Sequence, residues 1–183
     1  METQTIYQET IKFAGHKHAE MNQLVPGTKL PYVVHLSNVA MEVYVAFQNS
    51  FDEKFDLNYA LQLALLHDTI EDTHTTFEEI EHLFGIDVAN GVAALTKNDL
   101  LPKDKKMEDS LNRIKALQKE VWLVKLADRI TNLQKPPQHW TKEKIEIYRN
   151  EAVEILTELE GGNSYLELRL KNQISNFEQY ILE

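Results

Sequence analysis

Residues 121–133 read VWLVKLADRITNL. The opening Val-Trp-Leu-Val suits a buried strand. Leu126, Ile130 and Leu133 instead recur at spacings of four and three, which favours a helix. The helical reading decides the fold class, because nowhere else does the chain offer a convincing pair of strands. Pro136 and Pro137 stop this helix. Upstream, Met107, Leu111, Ile114 and Leu117 mark another helix after a polar connection at 98–106. Ile86 to Leu95 forms one more. Before it, Thr76 and Glu79 make a capping-box pattern for a short helix that Gly85 ends. Asp56 suits the N-cap of a helix carrying Leu57, Ala60, Leu61 and Ala64 up to His67. Pro31 fits the first turn of a helix through Val34, Val39, Val43 and Phe47. Tyr7, Ile11, Ala14 and His18 form the stripe of a first helix, broken by Pro26, Gly27 and Pro31. Downstream, Thr141 to Leu159 is a long helix, and Gly161-Gly162 closes it. Leu166, Leu170, Ile174, Phe177 and Ile181 define a final amphipathic helix. Its stripe either completes the core or forms a homo-oligomer face; the core role is preferred, since a single-domain helix needs one buried side. The expected fold is all-α, an irregular orthogonal helical bundle.

The 183 residues suit one domain, and 43% hydrophobic with 26% charged residues is an ordinary globular balance. There is no cysteine, so disulfides are excluded and any metal must sit on nitrogen and oxygen ligands. A formal net charge of −10 makes a nucleic acid polymer a poor partner, because phosphate neutralisation needs clustered Lys and Arg. A small anionic ligand is compatible with this surface if a bound cation and a few lysines supply local positive charge. The apolar runs are short and interrupted by charge, so no membrane span is expected. METQTIYQET at the N-terminus lacks the pattern of a signal peptide. A cytoplasmic protein is therefore expected.

The chemistry concentrates in LLHDTIEDT, residues 65–73. His67 and Asp68 are adjacent, and Glu71 and Asp72 follow at i+4 from each. Three carboxylates and an imidazole behind an apolar run are costly unless a cation neutralises them. Adjacent side chains on a helix diverge by about 100°. His67 and Asp68 can share a metal only at a helix end, with further ligands from other helices. His35, in LPYVVHLSNVA, and Asp128, an acid inside an apolar helix, are the candidates. Two imidazoles and two carboxylates suit Mn²⁺, Fe²⁺ or Zn²⁺ better than Ca²⁺, with Mn²⁺ the first choice. His16, His18, His74, His82 and His139 are read as surface or hydrogen-bonded histidines.

At these residues the sequence resembles the HD-domain phosphohydrolases. Within them it is similar to the hydrolase module of the RelA/SpoT family and its small stand-alone relatives, which degrade ppGpp and pppGpp. The stretches that carry the resemblance are LPYVVHLSNVA (30–40), LALLHDTIEDTHTTFEEIEHLFGIDVANGVAALTK (63–97) and VKLADRITNL (124–133). The resemblance implies one HD-type hydrolase domain over residues 1–183. It implies that His35, His67, Asp68 and Asp128 hold a divalent metal, and that Glu71 and Asp72 position or activate the attacking water. It places Asn132 in a nucleotide pocket, Lys97, Arg129 and Lys29 near substrate, and Tyr32 near the pocket mouth. The implied reaction removes the 3′-pyrophosphate of ppGpp or pppGpp, leaving GDP or GTP. The chain departs from the family in three places. MNQLVPGTK replaces the usual Arg-bearing stretch and keeps only Lys29. Leu36 follows His35 where proline is usual. Thr131 stands where a second histidine is common. Two alternatives follow: a different phosphorylated nucleotide as substrate, or a sensor that binds without hydrolysis. The intact Glu71-Asp72 pair favours an enzyme.

Overall fold

The computed structural model describes residues 1–50 and 54–182. Among the described residues eleven helices follow one another: α1 (Thr3–Glu20), α2 (Val33–Asn49), α3 (Leu57–Leu66), α4 (Thr69–Asp72), α5 (Phe77–Phe84), α6 (Ile86–Leu95), α7 (Lys103–Lys115), α8 (Lys119–Asn132), α9 (Lys142–Glu158), α10 (Ser164–Phe177) and α11 (Gln179–Leu182). Among the described residues the only extended pairing is an isolated bridge between Leu24 and Pro31. The all-α expectation therefore holds.

α8 is the axis of the molecule. It packs against α2, α3, α6, α7, α9 and α10. Val121 and every residue from Leu123 to Thr131 are buried, so the helix is enclosed on all sides. That enclosure explains the strand-like opening of its sequence: an all-round apolar helix has no polar face to reveal its period.

The local signals in the sequence act as expected. The Asp56 carboxylate caps α3 by accepting the Asn58 and Tyr59 N–H groups. Thr76 Oγ1 accepts the Glu79 N–H at 3.2 Å, but the Glu79 carboxylate turns to Lys17 Nζ at 2.7 Å. The capping box is thus half formed. Gly85 ends α5 at φ 92°, a conformation open to glycine at little cost. α10 buries Leu166, Leu170, Ile174 and Phe177, so its apolar stripe completes the core.

Two boundaries differ from expectation. The final helix is not continuous, because it divides at Glu178 into α10 and α11. The helix carrying His67 stops at Leu66, and a one-turn helix, α4, restarts at Thr69. Asp68, at φ −102° and ψ −1°, lies in the sparsely allowed bridge region that active-site residues often occupy.

Candidate metal centre

The break between α3 and α4 turns two adjacent side chains toward one point. His67 Nε2 lies 3.0 Å from Asp68 Oδ2. α2 contributes His35, whose Nε2 lies 3.3 Å from His67 Nε2 and 3.8 Å from Asp68 Oδ2. α8 contributes Asp128, whose Oδ1 is 3.4 Å from His35 Nε2 and 3.5 Å from His67 Nε2. One donor atom each from His35, His67 and Asp128 falls within 4.8 Å of the others. Asp68 flanks this trio through its contacts to both imidazoles. The four side chains singled out in the sequence, spread over 94 positions, therefore converge.

The hydrogen bonds fix the chemistry of the donors. His67 Nδ1 lies 2.9 Å from the Ala64 carbonyl, which only accepts. Nδ1 therefore carries a proton, and Nε2 is the nitrogen turned inward, the one free to give its lone pair to a cation. The Thr131 hydroxyl gives its one proton to the Asp128 carbonyl at 2.9 Å. Its oxygen can then only accept from His35 Nδ1, 3.4 Å away, so His35 Nε2 is the nitrogen that faces the cluster. Two imidazole nitrogens and two carboxylates face one another, and a positive charge, from protons on the rings or from a bound cation, makes that stable. Burial works to lower the His67 pKa, but the carboxylates of Asp68 and Asp128 outweigh it and hold it well above its ordinary value. Burial raises the Asp68 and Asp128 pKa values, yet the imidazoles win and both lie below the carboxylate range. The donor set fits a divalent cation.

A surrounding shell holds these ligands. The Tyr32 hydroxyl donates a short bond to Asp68 Oδ2. Asn132 Nδ2 donates to Asp128 Oδ1 at 2.5 Å, and buried Lys125 Nζ lies 3.5 Å from Asp128 Oδ2. Asp128, an acid in an apolar helix, thus has the partners its burial requires. Tyr32 is 8% exposed and packs against the ligands, its ring 5.1 Å from that of His35. Arg129 is also withdrawn. It is buried over the Tyr148 ring at 4.3 Å and reaches Glu151 at 3.4 Å. Lys29 is exposed on the turn before Pro31.

Glu71 and Asp72 are set differently. Both Glu71 oxygens serve Lys97: Oε2 accepts its backbone N–H at 2.9 Å, and Oε1 its ammonium at 2.8 Å. Asp72 Oδ2 accepts from Gln23 Nε2 at 2.8 Å. Among the described residues, Asp72 Oδ1 accepts no hydrogen bond. Burial raises the Asp72 pKa; the Gln23 bond opposes this, and the charges of Asp68 and Glu71 add to it.

Sequence reading missed Lys125, Gln23 and the role of His18. Lys125 had a usable signal, a cation one turn before Asp128 on the same helix. Gln23 had none, since its partner lies 49 positions away. A separate cavity of about 620 Å³, lined by Tyr7, Ala40, Met41, Tyr44, Leu57 and Leu61 among others, carries no carboxylate, imidazole or cation among the described residues. The chemistry lies at the metal centre.

The HD domain family model matches residues 10–161. The chain belongs to the HD domain family. This HD domain is similar along most of its length to proteins named guanosine-3′,5′-bis(diphosphate) 3′-pyrophosphohydrolase MESH1. The one from Xenopus tropicalis is 37% identical over 166 residues, covering 88% of this chain and 89% of the relative. The one from Homo sapiens is 32% identical over 169 residues, covering 90% of each. A solved structure of a metazoan ortholog of SpoT, described as hydrolysing ppGpp with a role in starvation responses, matches this HD domain with a TM-score of 0.78. That pair shares 30% identity, over 93% of this chain and 94% of the other. Among the described residues, no helix is long and apolar enough to cross a membrane.

Proposed function

We propose that this HD domain is a metal-dependent hydrolase that removes the 3′-pyrophosphate of ppGpp or pppGpp, with Mn²⁺ as its metal. The observation that carries the reading is the inward convergence of the His35 and His67 lone pairs with the Asp68 and Asp128 carboxylates. Support for the substrate comes from relatives named for that reaction over nearly their whole length. His35, His67, Asp68 and Asp128 are the ligands. A divalent cation there would lower the pKa of a water and neutralise phosphate charge.

The chain's own groups do the rest. Asp72, with Oδ1 open, takes one proton from the attacking water. The water oxygen bonds to phosphorus, and the ribose 3′-oxygen leaves and is protonated to the alcohol. Glu71 holds Lys97 in place, and the ammonium offsets negative charge on the phosphate oxygens. Asn132 and Lys125 keep the Asp128 carboxylate oriented. The whole unit acts as one domain in the cytoplasm.

The test is release of pyrophosphate from ppGpp in added Mn²⁺, with and without chelator. Pyrophosphate should appear only with metal, and His67→Ala should lose metal binding and turnover together. Full-rate hydrolysis by chelator-stripped protein would overturn the reading. So would orthophosphate released from nucleoside monophosphates with none of the expected pyrophosphate.

A further inference from the structure

α1 ends in a way that aims one side chain at Asp72. The Gln23 N–H bonds to the His18 carbonyl at 3.1 Å, and the Asn22 N–H to Ala19 at 3.0 Å. Asn22 sits at φ 52°. This is a Schellman motif with asparagine in the left-handed position. It folds Gln23 back over the last turn, where the side chain meets His18. The Gln23 carbonyl also accepts the Tyr32 N–H at 3.1 Å, so the backbone is held on both sides.

The side-chain bonds have one consistent polarity. A carboxylate only accepts, so Gln23 must present its amide nitrogen to Asp72 Oδ2, 2.8 Å away. Its Oε1 then faces His18 Nδ1 at 2.5 Å, which must carry the proton. His18 is 1% exposed, and burial lowers its pKa, in keeping with a neutral ring. Its Nε2 is buried without a hydrogen-bond partner among the described residues. A leucine would fill that space without stranding a nitrogen, so the imidazole's use lies in Nδ1.

We infer that Gln23, locked by His18, is a positioning residue that holds Asp72 by Oδ2 and turns Oδ1 toward the attacking water. A neutral amide there orients Asp72 without pairing its charge, so the carboxylate stays basic. The inference rests on the proposed role of Asp72.

The test has a kinetic and a spectroscopic arm. With ppGpp and Mn²⁺, Gln23→Met should lower kcat about tenfold with KM and bound metal little changed, as expected for a misaligned base. Gln23→Glu, which removes the donor and adds a like charge, should lose more. His18→Leu should match Gln23→Met, and His18→Asn, whose amide can replace Nδ1–H, should recover most of the loss. Gln23→Met within twofold of wild type, or equal rates for His18→Leu and His18→Asn, would overturn the inference. The second arm needs no turnover. Nitrogen-15 spectra of the metal-free protein should show His18 as the Nδ1–H tautomer, and the Nε2–H tautomer would overturn it. If wild type leaves ppGpp intact while His18 shows the Nδ1–H tautomer, the substrate reading fails and the tether stands.

Discussion

Tyr32 touches three parts of the site through one side chain. Its hydroxyl bonds Asp68, and its ring packs at a tilt between His18 at 4.7 Å and His35 at 5.1 Å. Tyr32→Phe keeps the packing and frees the Asp68 oxygen. Such supporting bonds are worth about 10–100-fold in metal affinity, so calorimetric titration should show a loss in that range with the fold intact. Glu71 and Asp72 divide differently. Asp72→Asn should lower kcat by about 10²–10⁴ with metal retained. Glu71→Gln should act mainly on KM, because it loosens Lys97. An aspartate acts as base only when ionised, and burial raises the Asp72 pKa. The acid limb of kcat should therefore lie above the ordinary aspartate range and vanish in Asp72→Asn; a limb in the ordinary range would contradict the assignment. At this scale the sequence was legible wherever a residue broke its local pattern. Asp128 stood out as a charge in an apolar helix, whereas His18 fitted the α1 stripe and gave no sign of its partner.

Helix packing explains what the pattern left hidden. Gly91 lies mid-helix in α6, where glycine weakens the helix. A Cβ there would meet Leu63 Cδ2 at 2.5 Å and the Tyr59 hydroxyl at 2.9 Å. A methyl group there requires the ends of the Leu63 and Tyr59 side chains to shift, and Leu63 is fully buried. Gly91→Ala should destabilise the fold by about 1–3 kcal/mol through overpacking, despite alanine's better helix propensity. A midpoint in denaturant equal to or above wild type would show that the helices can move apart. Periodicity found α3, α6 and α8 from their apolar positions. Periodicity alone did not show the interruption at residues 67–68, because LALLHDTIED fits a continuous helix equally well; the need to bring adjacent His67 and Asp68 onto one metal called for the helix end that the structure has. Local bonds hold the break: a His67 Nδ1 bond to Ala64 and a Thr69 hydroxyl bond to Leu66 at 2.6 Å use the carbonyls that a continuing helix would need.

The whole molecule is acidic, at −10, and its densest buried charge sits where α2, α3 and α8 meet. Folding brings Asp68 and Asp128 onto two imidazole lone pairs, and the unfolded chain has no such juxtaposition. A divalent cation should therefore bind the native state in preference to the unfolded one. At about one hundred times its dissociation constant, such a ligand adds about 2.7 kcal/mol. For a protein of this size each kcal/mol moves Tm by about 2–4 °C, so saturating Mn²⁺ should raise Tm by about 5–11 °C over chelator-treated protein. The rise should disappear in His35→Ala and in Asp128→Ala, whose residues lie 93 positions apart in the sequence and meet at the metal centre. Ca²⁺, which prefers an all-oxygen shell, should give a smaller rise at equal concentration. Equal rises in wild type and both variants would mean that the cation acts on the acidic surface in general, and the four converging side chains would then need another explanation.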